Sequence, residues 1–217
     1  MIRRTRRATP HPADTPLLCK ITSILLQYPD NRVLAHLTQV TAVFPAITDT
    51  VARDSLGGFT DWLAGRTPTE AAQHYVVTFD HTRRRGLYLT YYRHGDTRAR
   101  GMALLALKHT YRQAGYPAPE DELPDFLPLM LEFAAAAPEP GQRLLIQCQA
   151  GLELLTEAVR EAHSPYAELL DVIRACLPDL PKRHRDELRA LAEAGPPIEQ
   201  VGLEPFAPPD YVTGGHR

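Results

Sequence analysis

The stretch RRRGLYLTYYRHGDTRARG, residues 83–101, is where side chains able to do chemistry crowd together. Six arginines, three tyrosines and one aspartate share it. A guanidinium presents a planar fork of donors that matches carboxylates and phosphates two bonds at a time. Arginine and tyrosine are also residue types in which binding surfaces concentrate their energy. Three roles are open to such a segment: gripping a nucleic acid, holding a phosphate-bearing cofactor, or clamping a loop to the fold. Arg83, Arg84 and Arg85 are consecutive and cannot all face one way, so at least one must turn toward the protein or a ligand. Asp80 and Asp96 flank the segment and are the carboxylates placed to pair with an inward-turned arginine.

Other chemistry is hard to assemble. No G-x-S-x-G, P-loop, G-x-G-x-x-G or H-E-x-x-H pattern is present, so neither a hydrolytic nor a redox active site is expected and the protein is read as a non-enzyme. His74 and His81 are seven residues apart, whereas a helical metal pair needs partners three or four apart or a cysteine or aspartate cluster. Asp121 and Glu122 sit at a loop–helix junction, where acids favour the helix dipole. Cys19, Cys148 and Cys176 are far apart and read as buried hydrophobes in a reducing compartment.

The net charge of −2 balances the arginines elsewhere, which argues against a nucleic-acid binder with its overall basic excess. With 44% apolar and 23% charged residues, the chain can bury a core and stay soluble. No run of about 18 apolar residues exists to span a bilayer. Arg3 and Arg4 imitate a twin-arginine signal, but prolines, a histidine and an aspartate follow where an apolar segment is needed. A cytoplasmic location is therefore expected.

Helical periodicity must position these residues. TPLLCKITSILLQYP sets Leu17, Leu18, Ile21, Ile24, Leu25 and Tyr28 on one face, with Thr15–Pro16 as its start and Pro29 as its stop. Helices are expected over 31–44 and 47–64. TPTE at 67–70 has the pattern of a capping box: Thr67 and Glu70 satisfy each other's amides, and Pro68 suits the first turn. Ala72, Tyr75, Val76 and Phe79 follow as a buried stripe. Asp96 or Thr97 is expected to cap a helix over 98–114 ended by Gly115. That helix should expose Arg98, Arg100, Lys108 and Arg112 and bury Met102, Leu105 and Leu107. Asp125 is expected to cap the next helix, leaving Pro128 at its third position, where a missing N–H costs nothing. Further helices are expected over 142–162, from Pro165 to about 177, and over 182–194. No convincing strand, hairpin or repeat is found. The expected fold is all-α, a single helical bundle over 15–195, with a disordered basic tail at 1–14 and a proline-rich flexible tail at 196–217.

The blocks YVVTFDHTRRRGLYLTYYRHGDTRARGMALL and DELPDFLPLMLEFAA resemble signature blocks of the NarJ or delta-subunit family, the nitrate reductase molybdenum cofactor assembly chaperones, within the wider TorD/DmsD-like redox-enzyme maturation chaperones. LLQYPD, SPYAELL and VGLEPFAPP extend the resemblance over about 17–209. It implies an all-helical, non-catalytic chaperone. Its partner would be the apo catalytic (alpha) subunit of a membrane-bound respiratory nitrate reductase, bound through its N-terminal peptide. The chaperone would hold that subunit while bis-molybdopterin guanine dinucleotide and an iron–sulfur cluster are inserted, then leave. It would keep no cofactor permanently, touch the dinucleotide only transiently, and have molybdenum cofactor biosynthesis proteins as further partners. The resemblance also implies a peptide groove lined by Tyr75 and Phe79, a turn at Gly95–Asp96, and a polar element at Pro124–Asp125. Phe126 stands where the family commonly has histidine, which implies a more apolar groove. Arg83, Tyr88 and Arg98 would frame its entrance, and Asp125 would receive a peptide N–H or a basic side chain. Two other readings stay open. One is a protein that holds a guanine dinucleotide with Arg83–Arg85, Arg98 and Arg100, and the other is an RNA-binding helical module.

Overall fold

Side-chain caps decide where the helices begin. In the computed structural model, which describes residues 11–180 together with Asp186, Leu188, Ala190 and Leu191, α1 (Thr15–Leu25) starts behind Asp14 rather than Thr15. The Asp14 carboxylate is occupied across the fold: its Oδ2 accepts from the Thr48 amide at 2.9 Å, the Thr48 hydroxyl at 2.7 Å and the Asp49 amide at 3.0 Å. It thereby ties α1 to the start of α4 (Thr50–Ala64), whose own cap, Asp49, accepts from the Ala52 amide. Residues 12–14 form a 3-10 turn, so ordered structure reaches back into the segment expected as a tail. The rest of that tail, the segment 196–217 and most of the helix expected at 182–194 lie outside the described residues.

The helix expected over 31–44 is two pieces, α2 (Asn31–Ala35) and α3 (Leu37–Ala42), followed by a 3-10 turn at Phe44–Ala46. His36 marks the break, its amide and its ring both turned to the Arg32 carbonyl. α5 (Pro68–Phe79) begins with the expected reciprocal pair, Thr67 N–H to Glu70 Oε2 at 2.9 Å and Glu70 N–H to Thr67 Oγ1 at 3.3 Å. A 3-10 turn at Arg83–Arg85, the one-turn α6 (Tyr91–His94) and α7 (Arg98–Gln113) follow. Gly115 closes α7 at φ 72°, in the left-handed region glycine tolerates.

α8 (Leu127–Ala136) is capped by Phe126, not Asp125, which moves Pro128 to the second helical position. The helix expected over 142–162 starts earlier and divides at Cys148 into α9 (Pro138–Gln147) and α10 (Gln149–Glu161). α11 (Tyr166–Ala175) is the last helix whose bounds are described, and among the described residues there is no strand. The all-α expectation holds.

α8 is apolar on nearly every side and lies at the centre, as such a helix must. It packs against α1 and α9, while α1 and α10 both rest on α11, and α11 on α4. Leu127, Met130, Leu131 and Phe133 of α8 are fully buried, as are Leu152, Leu155 and Val159 of α10. Close approach of backbones sets this arrangement. A Cβ on Gly141 would meet Ala134 Cα at 2.3 Å, and one on Gly151 would meet the Leu89 carbonyl oxygen at 2.3 Å. α7 corrects the expectation most sharply. Leu107 is buried as expected, but Met102 and Leu105 stand 67% and 60% exposed.

Candidate functional site

The segment 86–90, between the 3-10 turn at Arg83–Arg85 and α6, belongs to no helix and needs partners for its backbone. It finds them in residues 125–127. The Leu89 amide donates to the Asp125 carbonyl at 3.1 Å and the Leu127 amide to the Leu87 carbonyl at 2.8 Å. This pairing makes Tyr88 and Phe126 opposite members of an isolated antiparallel bridge, with ring centroids 5.4 Å apart. Nothing in the alternation of the sequence announces it. Both rings are half-buried. The Tyr88 hydroxyl donates to Glu122 Oε1 at 3.2 Å, and burial followed by that carboxylate pushes its pKa up to about 12.

Beneath the pair lies a buried polar cluster. Asp125 is fully buried. Its Oδ2 accepts from the Thr90 amide at 3.2 Å and the Thr90 hydroxyl at 2.5 Å, and lies 3.5 Å from Arg100 Nη2. Its Oδ1 is buried with no hydrogen-bond partner. Arg100, expected on the surface, is only 17% exposed along its side chain. It also donates from Nε to Thr90 Oγ1 and from Nη1 to Asp96 Oδ1, each at 3.4 Å. The other Asp96 oxygen accepts from Arg83 Nη1 at 2.9 Å. One carboxylate therefore joins the two ends of the arginine stretch.

The clamp role foreseen for these arginines is realised through Asp96 rather than Asp80. Asp96 does not cap α7, and Thr97 turns its hydroxyl back to the His94 carbonyl at 2.8 Å instead of capping the helix it precedes. Gly95, at φ 57° and ψ −154°, makes the reversal between α6 and α7 in a region open essentially to glycine alone. Arg85 turns inward and donates to the Val77 carbonyl at 3.1 Å, and the Tyr92 hydroxyl lies 3.0 and 2.9 Å from the Arg84 and Gly86 carbonyls. The Tyr111 hydroxyl holds the Pro124 carbonyl at 3.1 Å. Arg98 is exposed at the start of α7.

Tyr75 and Phe79 sit elsewhere. They are 6% and 4% exposed, in an aromatic cluster built around the fully buried Tyr166. The Tyr75 hydroxyl donates to the Leu26 carbonyl at 3.2 Å. In this conformation they do not line an open groove, which corrects the expectation that they stand as free anchors. The exposed ring over them is Tyr28, 49% exposed and edge-on to Tyr75 at 5.4 Å. Burial, then Tyr166, raises the Tyr75 pKa, and Asp80, Tyr88 and Glu122 add to the rise. Periodicity expected Tyr28 inside; its exposure follows from α1 ending at Leu25, ahead of Pro29. Tyr166 could have been suspected only from its place in SPYAELL.

His74 takes a structural place, its Nε2 2.9 Å from the Ser164 hydroxyl and its ring 4.8 Å from Trp62. Burial, then Arg66, lowers its pKa. Among the described residues no group of three or more His, Cys, Asp or Glu side chains is placed to hold a metal ion. Among them, too, no helix is long and apolar enough to cross a membrane.

Residues 48–171 match the family described as nitrate reductase delta subunit. The chain belongs to that family. It is 38% identical, over 80% of its length and 95% of the other's, to a Bacillus subtilis protein named NarJ, a nitrate reductase molybdenum cofactor assembly chaperone. It is 33% identical to the Escherichia coli K12 chaperone of the same name, over 70% of this chain and 66% of that one. Its fold matches, with a TM-score of 0.55 and 22% identity over 79% of this chain and 97% of the other, a crystal structure from Archaeoglobus fulgidus described as that of a redox enzyme maturation protein. The family is one of cofactor assembly chaperones, not of catalysts.

Proposed function

We propose that this chain is a cytoplasmic chaperone that binds the N-terminal peptide of the apo catalytic subunit of respiratory nitrate reductase. It holds that subunit open while the molybdenum cofactor and an iron–sulfur cluster are inserted, then departs. Membership of the delta subunit family and the names of its relatives support the client. The observation that carries the site is the convergence of two sequence blocks far apart in the chain. Tyr88 and Phe126 lie side by side, their rings tilted by 36°, on a bridge held by the Asp125–Thr90–Arg100 cluster. A rigid pair of half-exposed rings beside charged groups is the kind of surface on which an amphipathic peptide helix lays its apolar face.

Within this reading Tyr88, Phe126 and Tyr28 are the apolar contacts. Arg83, Asp96 and Arg98 set the orientation of the peptide. Pro124, Asp125 and Gly95 hold the platform, and Tyr75 and Phe79 back it from the core. The bis-molybdopterin guanine dinucleotide goes to the client and touches this chain only in passing, and cofactor biosynthesis proteins are further partners. The alternative, a resident guanine-dinucleotide site on the arginines, is disfavoured because Arg83 and Arg100 already share Asp96 and Arg100 also faces Asp125.

Calorimetry with a synthetic peptide copied from the start of the catalytic subunit tests the proposal. Wild type should bind, and Tyr88→Ala and Phe126→Ala should each weaken binding roughly tenfold, the size of a ring hot spot. No binding by folded wild type overturns the function; unchanged affinity in both variants overturns the site. Tight binding of guanine nucleotides, lost on Arg→Ala substitution, supports the alternative instead.

A further inference from the structure

α7 is an odd helix for the edge of a bundle. Only Leu107 and Tyr111 among its sixteen residues are buried, and they lie on one side. The opposite side carries Arg98, Met102, Leu105, His109 and Arg112, spaced in alternating steps of four and three. That spacing draws a straight seam along a helix, the pattern by which helices receive a partner. Here the seam faces outward. Met102 and Leu105, at its middle, are among the most exposed large apolar side chains described. The charge is one-sided as well: α7 holds Arg98, Arg100, Lys108 and Arg112 and no acid. Arg100 is committed to Asp96 and Asp125, but Lys108 and Arg112 meet no acidic partner among the described residues.

We propose that the C-terminal segment IEQVGLEPFAPPDYV, residues 198–212, docks on this outer face of α7. The segment is the complement of the face. It offers Ile198, Val201, Leu203, Phe206, Tyr211 and Val212 as apolar contacts, and Glu199, Glu204 and Asp210 without a single lysine or arginine. Reach is sufficient. The fifteen residue steps from Leu191 to Phe206 can extend about 50 Å, comparable with the full width of a domain of this size, about 40 Å. Pro205, Pro208 and Pro209 bias the segment toward an extended form, which lowers the entropy cost of laying it down. A second copy of the chain is a poorer occupant, because two α7 faces brought together set Lys108 and Arg112 against like charges. The contact meets the client site proposed above only at Arg98, which the charge reversals below leave unchanged.

A paramagnetic label tests it on the full chain. Gln113 is exposed at the end of α7, and the three native cysteines are buried, so a nitroxide goes selectively to Gln113→Cys. Backbone amide signals from 198–212 should lose at least half their intensity relative to the reduced label. Lys108→Glu with Arg112→Glu should restore them, and adding Glu204→Lys with Asp210→Lys should bring the loss back. Tail signals that ignore the label overturn the proposal, as does a loss indifferent to charge reversal. A loss that appears only between labelled and isotopically marked copies in a mixture assigns the face to a second chain and overturns it too.

Discussion

Gly151 offers a sharp test of how the site is held. A methyl placed on it would stand 2.3 Å from the Leu89 carbonyl oxygen, whereas ordinary contact begins near 3.4 Å, so about 1 Å of movement is required. Leu89 cannot yield alone, because its amide is bonded to Asp125 and Leu87 is bonded to Leu127. Either the bridge beneath Tyr88 and Phe126 shifts or α10 moves off its seat on α11. Overpacking of this kind costs about 1–3 kcal/mol, and loss of one bridge hydrogen bond adds about 1 kcal/mol. The helix propensity gained by alanine returns about 1 kcal/mol. Gly151→Ala should therefore destabilise by about 1–3 kcal/mol net, a fall in melting temperature of roughly 2–12 °C for a chain of this length. Gly57→Ala is the matched control. It lies mid-helix in α4, and its added methyl would meet nothing within 4 Å, so it should stabilise by about 0.5–1 kcal/mol. Scanning calorimetry of both variants decides the matter. A Gly151→Ala protein as stable as Gly57→Ala refutes the claim that α10 fixes the bridge.

Two further outcomes follow from ionisable groups. Burial alone would raise the Asp14 pKa, but the bonds from Thr48 and Asp49 outweigh it and hold the carboxyl below its usual range. Its stabilisation is thus full above the ordinary carboxylate pKa of about 3.9 and is lost as the pH falls through the lower folded value. Asp14→Asn should cost about 1–3 kcal/mol at pH 7, and denaturant titrations should show the gap closing toward pH 3; a gap constant across that range contradicts the assignment. Burial pushes the Cys148 and Cys176 thiols up to about 12 and Cys19 higher still. At pH 8 a thiol reagent should modify all three far more slowly in the folded protein than in denaturant, and equal rates would show these sites to be open.

What the sequence disclosed was local. The Thr67–Glu70 box lies within one turn, so no distant contact could overrule it, and it formed as the letters suggest. The stripe Leu145, Cys148, Leu152, Leu155 and Val159 is buried throughout, yet the helix carrying it breaks at Cys148. Periodicity reports which side chains turn inward over a long run, but it is insensitive to a single residue leaving helical geometry. α7 shows the reverse failure: amphipathic spacing identified an apolar side without saying which side the bundle would use. Leu107 and Tyr111 proved to be the packed pair, and Met102 and Leu105 were left outside.

The candidate site was hidden for a related reason. Its parts come from two blocks brought together by the bridge at Leu87–Leu89 and Asp125–Leu127, which is too short to leave alternation in the sequence. That bridge reassigns Asp125. A carboxylate followed by Phe-Leu-Pro has the look of a helix cap, but a cap must stand where it can reach the next turn's amides. The Asp125 main chain is instead committed to Leu89, and its side chain is turned under the loop to Thr90 and Arg100. Arg100 then has to be drawn in, because a fully buried carboxylate is tolerated only beside a compensating charge and donors. A residue that helical periodicity places on the surface is thus recruited to the interior by a partner twenty-five positions away. Removing either partner should therefore disturb the Tyr88–Phe126 platform more than removing an exposed arginine such as Arg83, whose bond to Asp96 is largely solvated.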